Sequence, residues 1–348
     1  MRMENTTHIP PPMDRSVTSA YPTIVDRHDR TFNYLRLAVN EYCNLRCIYC
    51  MPEEGVPFRN KDQLLSKNEI KRLLSVVSKL GVYKIRFTGG EPLLRKDIPE
   101  LVNYTKNLTG VESVHLTTNG ILIHEYIDDL ADAGLSGINI SLDTLQPDRF
   151  QPITRRSGLN QVIENIHLAI TSQIPSVKIN VVAMRDFNHD ELVDFANLTM
   201  DNNITVRFIE LMPFDSRQIW KTGKFYRAEH IVEDLHSQTD QLQSVDGSST
   251  EHYIFRMKGA KGKIAVIPAF SRNLCGECNR IRITADGKLL NCLYSQDETN
   301  LRDAMRDGAS NEKIQSMIGA SFLNKHVDGW SAQQNNGVHR ESMTQIGG

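Results

Sequence analysis

Between residues 34 and 210 the apolar and polar positions follow two alternating rhythms. Short runs rich in β-branched and large apolar residues read as strands. They are YLRLAVN from Tyr34, KIRFTGG from Lys84, SVHLTTNG from Ser113, GINISLD from Gly137, VKINVVAM from Val177 and TVRFIEL from Thr205. Between them apolar residues recur at helical spacing. The clearest case opens with Ser66 and Glu69, spaced as a capping box, and sets Ile70, Leu73, Leu74 and Val77 on one face. Further helical patterns cover residues 98–106, 125–133, 161–172 and 190–200. Repeated strand–helix–strand units predict an α/β fold with parallel pairing through right-handed crossovers, either a doubly wound sheet or a (β/α) barrel. Six units are too few to complete an eight-stranded barrel.

Beyond Phe225 the strand runs shorten to HYIFRM, KIAVIP, RIRIT and KLLNC, followed by polar helical segments and a tail rich in Gln, Asn and Gly. The pattern divides the chain into a flexible N-terminal arm over residues 1–30, an α/β unit over 31–224 and a small C-terminal α+β module over 225–348. The arm, rich in Pro, Ser and Thr, has no apolar core of a secretory signal, and no run approaches a membrane span. A cytoplasmic protein is expected. The net charge of −2 gives no general reason to bind nucleic acid or an anionic membrane, so any anion site must come from local clustering. The six cysteines fall as three near the start and three near the end, which suits metal ligation better than disulfides.

Cys43, Cys47 and Cys50 are spaced Cys-x3-Cys-x2-Cys, and Cys275, Cys278 and Cys292 repeat the arithmetic of three thiols without a fourth. One reading is a zinc site completed by His115 or His124. The other is a cubane iron–sulfur cluster with one iron left open for a substrate or cofactor. The first set follows a strand, and four more polar or Gly-rich segments sit on the same rim: Gly89-Gly90-Glu91-Pro92, Thr117-Thr118-Asn119-Gly120, Ser141-Leu142-Asp143 and Met212-Pro213. The C-terminal edge of parallel strands is where α/β folds build sites. Buried parallel strands should be almost wholly apolar, yet Arg36, Lys84, Arg86, Lys178 and Arg207 interrupt four of the six. Pointed inward with Arg280 and Arg282, these cations would cage a polyanion. No Walker-type phosphate loop is present.

CNLRCIYC resembles the signature of radical S-adenosylmethionine enzymes, and TGGEP resembles their motif for the methionine amino group. From TFNYLRLAVNEYCNLRCIYCMP through KIRFTGGEPLLR, LTTNG, NISLDTL and CGECNRIRITADGKLLNCL to the terminal Gly347-Gly348, the chain is similar to one family among them, the GTP 3′,8-cyclases that begin molybdenum cofactor biosynthesis. The resemblance implies a partial (β/α)6 barrel whose open side is closed by the C-terminal module. It implies two 4Fe–4S clusters, the first chelating S-adenosylmethionine and the second facing the purine. Matched by position, Tyr49, Gly90, Ser141 and Met212 would contact S-adenosylmethionine. Arg36, Arg86, Thr117, Lys178, Arg280 and Arg282 would contact GTP, while Arg207 joins them only by the burial argument. The implied chemistry is a 5′-deoxyadenosyl radical that takes hydrogen from the ribose C3′ of GTP. The implied partners are GTP, an external one-electron donor and a downstream cyclic pyranopterin monophosphate synthase; homodimerisation is left open. The Gly-Gly end, free of any Cβ, is expected to thread toward the site. The alternatives are a peptide-modifying radical enzyme with auxiliary clusters and a non-catalytic metal-binding module.

Overall fold

All six runs read as strands are strands, and their two faces differ. β7 (Val177–Ala183) shows why: Val177, Ile179, Val181 and Ala183 are buried in the apolar layer, while the intervening Lys178, Asn180 and Val182 line an interior cavity. Side chains alternate across a strand, so a barrel-like sheet with a filled outer layer and a polar lumen tolerates cations at every second position. The expectation of unbroken apolar strands is replaced by this alternation.

The computed structural model describes residues 22–212, 223–246, 253–271, 274–295, 297–334 and 342–347; the calls on Pro213 and Gly348 fall outside them. The chain opens with a short antiparallel pair, β1 (Ile24–Val25) and β2 (Thr31–Phe32). It continues through β3 (Tyr34–Ala38), β4 (Lys84–Thr88), β5 (Ser113–Thr118), β6 (Gly137–Ser141), β7 and β8 (Thr205–Glu210). These six pair in sequence order, every pair parallel. The crossover helices are α1 (Lys67–Ser78), α2 (Ile98–Lys106), α3 (Ile127–Asp132), α4 (Pro147–Thr154), α5 (Leu159–Thr171) and α6 (Leu192–Asp201). At α1 the capping box is complete: the Glu69 N–H donates to Ser66 Oγ, and the Ser66 N–H donates to Glu69 Oε2 at 2.8 Å. Ile70, Leu73, Leu74 and Val77 are buried as the spacing predicts. α4 was absent from the sequence reading, because Pro147 at its start and Pro152 inside it mask the periodicity of Phe150 and Ile153.

After α7 (Ala228–Gln238) come β9 (Leu242–Ser244), β10 (Tyr253–Met257), β11 (Lys263–Ile267), β12 (Arg280–Ile283), β13 (Lys288–Leu290) and β14 (Glu298–Asn300). The chain then runs through α8 (Leu301–Arg306), α9 (Asn311–Leu323) and α10 (Gly329–Gln334). These later strands do not build a body with its own core. β11 adds in parallel to β8, and β12 adds in parallel to β3, so that one sheet of 12 strands runs β14-β13-β12-β3-β4-β5-β6-β7-β8-β11-β10-β9. Ile264, Val266, Ile281 and Ile283 share a single apolar core with Leu35, Phe87, Ile138 and Phe208. Within the stretch expected as an arm over residues 1–30, β1 and the buried Asp26 and Arg30 of the turn that leads to β2 belong to the fold. Among the described residues no helix is long and apolar enough to cross a membrane.

Candidate active site between two sets of cysteines

The first cysteine set lies on the loop after β3 and is knitted to two neighbouring loops. Gly89 and Gly90 leave no room for side chains there: a Cβ on Gly89 would lie 2.4 Å from the Asn40 carbonyl oxygen, and one on Gly90 would lie 2.2 Å from that of Tyr42. The Gly90 N–H donates to the Asn40 carbonyl at 2.8 Å and the Glu91 N–H to that of Tyr42 at 2.7 Å. Glu91, buried, accepts from Thr118 Oγ1, the Asn119 N–H and the Leu93 N–H at 2.7–2.9 Å. Burial raises its carboxyl to about 7 against those hydrogen bonds. Asn119 Nδ2 in turn faces Cys43 Sγ at 3.7 Å. From the other side the end of α4 holds the loop, the Arg46 and Ile48 N–H groups donating to the Thr154 and Ile153 carbonyls at 2.8 and 2.9 Å.

Burial is the main reason the thiols of this set are pushed up, Cys50 to about 12. Nearby negative charge adds to it, from Glu91 on Cys43 and from Cys50 and Asp143 on Cys47. Tyr49 donates its hydroxyl to Asp143 Oδ2 at 2.7 Å, and Asp143 Oδ1 accepts from the Val182 N–H at 2.8 Å. Burial lifts the Asp143 carboxyl to about 6. The aromatic ring between Cys47 and Cys50 is therefore fixed to the rim of β6 and β7.

Below this rim the lumen is cationic. Register places Arg36 beside Arg86 on one side and Arg282 on the other, and Tyr34 beside Lys84 and Arg280 one layer lower. Arg36, Lys84 and Arg86 sit 5.7, 5.1 and 5.6 Å from the centroid of the Tyr34 ring. Burial opposes phenolate formation, yet Arg86, Arg36 and Lys84 outweigh it and bring the Tyr34 hydroxyl down to about 7. Desolvation and the neighbouring guanidinium groups lower Arg86 to about 10 and Arg282 well below its ordinary range. Arg86 Nε and Asn180 Oδ1 are buried with no hydrogen-bond partner among the described residues, and both line the lumen. Such groups call for a polar ligand.

The second cysteine set lies toward the other end of the strands, since β12 runs parallel to β3 and two of the set's cysteines precede β12. Cys275 and Cys278 flank the turn before β12, and Cys292 follows β13. The Gly329 N–H donates to Cys275 Sγ at 3.2 Å. Burial raises Cys275. At Cys278 burial is overcome by Lys325, Arg280 and Arg30, and the thiol is lowered.

The six cysteines and all the residues expected to contact S-adenosylmethionine or GTP border one cavity of about 940 Å³. Cys43, Cys47, Cys50, Tyr49, Gly90, Ser141 and Met212 line one end of it. Cys275, Cys278 and Cys292 line another, and Arg36, Arg86, Thr117, Lys178, Arg207, Arg280 and Arg282 lie along it. Neither histidine considered as a zinc ligand joins a cysteine set. Burial and the cations Arg86, Lys84, Lys178 and Arg207 press His115 down to about 3, and His124 faces Asn165 at 3.3 Å. Among the described residues no three His, Cys, Asp or Glu side chains converge on a single metal ion. The sequence reading missed Tyr34, Arg30 and Lys325, and it placed Asp143 on the rim without a partner. Tyr34 was open to detection, since in an inward-facing strand position it falls two residues before Arg36. The C-terminal segment enters the same cavity: the Met343 N–H and Ser342 Oγ donate to the Cys50 carbonyl at 3.0 and 2.9 Å. Thr88 Oγ1 donates to the Gly347 carbonyl at 2.9 Å. Gly347 adopts φ +77°, and a Cβ there would lie 2.7 Å from the Ala38 Cβ.

The two cysteine sets fall under two different family models. Residues 37–199 match a family model described as the radical SAM superfamily, and residues 204–329 match one described as molybdenum cofactor synthesis C. A GTP 3′,8-cyclase of Chlorobaculum tepidum is 42% identical over 325 residues, covering 93% of this chain and 97% of that one. The chain belongs to the GTP 3′,8-cyclase family. Human molybdenum cofactor biosynthesis protein 1 is 44% identical over 303 residues, which are 87% of this chain but 48% of that protein, so the cyclase chain spans about half of it. Among solved structures, Streptococcus suis SuiB bound to S-adenosylmethionine aligns with a TM-score of 0.56 at 17% identity, covering 83% of this chain and 69% of that one. At that identity the likeness shows the shared α/β fold built on a parallel sheet.

Proposed function

We propose that this chain converts GTP to (8S)-3′,8-cyclo-7,8-dihydroguanosine 5′-triphosphate, the first step of molybdenum cofactor biosynthesis, using S-adenosylmethionine and two 4Fe–4S clusters. The observation that carries this reading is that both cysteine sets and the cationic lumen border one cavity of about 940 Å³. The donor sets fit the cofactors. Each offers three free thiols, near enough within a set for charge on one to act on another, and the unpartnered Arg86 Nε and Asn180 Oδ1 in the same cavity suit a polar substrate. Cys43, Cys47 and Cys50 would hold the first cluster, and Cys275, Cys278 and Cys292 the second. When bound, the first cluster and S-adenosylmethionine supply the 5′-deoxyadenosyl radical that removes the C3′ hydrogen of GTP.

The chain's own residues orient the reactants. Tyr49, Gly90, Ser141 and Met212 would contact S-adenosylmethionine, with Asp143 fixing Tyr49 through the 2.7 Å hydrogen bond. Arg36, Arg86, Lys178, Arg280 and Arg282 would grip the triphosphate and nearby polar groups, joined by Thr117, and Arg207 supports them from β8. Asn139, with its amide oxygen toward Arg86, accepts from both terminal nitrogens at 2.5 and 3.2 Å and so aims that guanidinium. The addition of β11 and β12 to the two edges of the six-stranded unit supports a partial (β/α)6 barrel over residues 31–224 whose open side is closed by 225–348. Such closure keeps water from the radical. The same reading includes an external one-electron donor, a downstream synthase that takes the product, and a reducing cytoplasm in which six free thiols persist.

The test is anaerobic incubation of reduced enzyme with S-adenosylmethionine and each nucleoside triphosphate in turn. GTP should give the cyclised product and the largest release of 5′-deoxyadenosine. Release that is indifferent to the nucleotide, with no cyclised product, would overturn the proposal.

A further inference from the structure

The turn between β1 and β2 carries a buried ion pair whose reach is long. Asp26 and Arg30 are 4% and 7% exposed, and Arg30 Nε donates to Asp26 Oδ2 at 2.7 Å. Asp26 Oδ1 also accepts from the His28 and Arg30 N–H groups at 2.9 and 3.0 Å, which closes the turn on itself. The carboxylate occupies one edge of the guanidinium and leaves the other free to donate. That edge meets three backbone carbonyls from two distant segments: Arg30 Nη1 donates to Cys275 O at 2.8 Å and Val327 O at 2.7 Å, and Nη2 donates to His326 O at 2.7 Å. A planar five-donor fork can satisfy such an arrangement, and a lysine ammonium cannot hold the same directions.

The two segments tied together are functionally linked by a third contact. Val327 is two residues before Gly329, whose N–H donates to Cys275 Sγ at 3.2 Å. One guanidinium thus holds both the backbone of a cysteine and the loop that supplies a hydrogen bond to its sulfur. N–H···S bonds and nearby positive charge stabilise the more negative, reduced state of an iron–sulfur cluster and raise its potential. Lys325, 3% exposed and bonded to the Asn291 carbonyl, adds a second cation beside the same thiols.

We propose that the Asp26–Arg30 pair is a positioning clamp for the second cluster, which holds the Gly329 N–H on Cys275 Sγ and thereby sets that cluster's reduction potential. The inference rests on the two-cluster reading above, and its failure is distinguishable from that reading's failure. Wild-type protein without a second cluster's iron and spectrum would refute the reading, whereas a second cluster indifferent to Arg30 would refute the clamp alone.

The experiment compares anaerobically reconstituted wild type, Arg30→Ala, Arg30→Lys and Asp26→Asn by iron content, electron paramagnetic resonance and redox titration. The expected result is a more negative potential and altered g-values for the second cluster in both Arg30 variants, with the first cluster's signal retained. Arg30→Lys separates geometry from charge: the clamp requires it to behave as Arg30→Ala does, and recovery of the wild-type potential in Arg30→Lys would assign the effect to charge and overturn the clamp. Selective loss of the second cluster's iron from Arg30→Ala also supports the clamp. Should Arg30→Ala fail to fold, Arg30→Lys decides. A shifted potential in Arg30→Lys supports the clamp, and a wild-type potential there overturns it, whatever Asp26→Asn shows.

Discussion

The two cysteine sets have the same count and opposite surroundings. Around Cys43, Cys47 and Cys50 the charged neighbours are mainly acids, Glu91 and Asp143, and all three thiols are raised. Around Cys278 the neighbours are Lys325, Arg280 and Arg30, and that thiol is lowered although it is buried, while burial raises Cys275. Negative surroundings disfavour added electrons, so a cluster held by the first set would be the stronger reductant, and they would suit a ligand that carries a sulfonium and an ammonium. Positive surroundings favour added electrons and also suit a triphosphate. On the proposed reading, equal ligand arithmetic would then serve one site that starts radical chemistry and one that holds an anionic substrate.

The sharpest way to break this contrast is to remove the thiols. Replacing Cys43, Cys47 or Cys50 with Ser should abolish S-adenosylmethionine cleavage, whereas replacing Cys275, Cys278 or Cys292 should abolish cyclisation while uncoupled cleavage persists. Equal loss of 5′-deoxyadenosine from both groups of folded variants would erase the distinction. Deleting Gly347 and Gly348 should come next in size. Gly347 already reaches Thr88 and, at 3.4 Å, Arg282, so the truncated enzyme should keep both clusters and its basal cleavage and lose most of its product from GTP. Product formation at the full rate would show that the tail's place in the cavity is idle.

The next effect is confined to the anionic side. On the proposed reading, Arg86→Ala would remove one charge-assisted phosphate contact, about 1.5–3 kcal/mol, or roughly ten- to a hundred-fold in Kd. Equilibrium binding should show a larger loss for GTP than for guanosine; an equal loss would take Arg86 away from the phosphates. The smallest effect is electrostatic. The Tyr34 hydroxyl titrates near 7 when folded and near 10 when unfolded, so it binds fewer protons in the folded state between those values. Its stabilising contribution is then full above about pH 10 and is lost as pH falls through about 7. Denaturation of substrate-free enzyme should show wild type gaining stability over Tyr34→Phe as pH rises through that window, and parallel curves would remove Tyr34 from the charge balance of the lumen.

Much of this was legible in the sequence because it is local. Strand alternation, the Ser66–Glu69 box and the spacing of Cys43, Cys47 and Cys50 are fixed by neighbours a few residues apart. The strand cations stood out because a guanidinium is costly inside a sheet unless it faces something polar. What escaped depends on distance along the chain. Arg30 meets carbonyls 245 to 297 residues away, and no local pattern marks it. The parallel addition of β12 to β3 joins Arg280 to Tyr34 across most of the sequence, so short strands after residue 225 look like a separate unit until their edges are seen. Asp143 and Tyr49 are 94 residues apart, and only the rim brings them to 2.7 Å.

The claim on which the rest depends is that charge, rather than ligand number, separates the two cysteine sets. The most direct test is an anaerobic redox titration of the substrate-free enzyme, with electron paramagnetic resonance resolving the two clusters through the single-set cysteine variants. The account predicts that the cluster on Cys275, Cys278 and Cys292 is reduced at the less negative potential. Coincident potentials, or the reverse order, would contradict it.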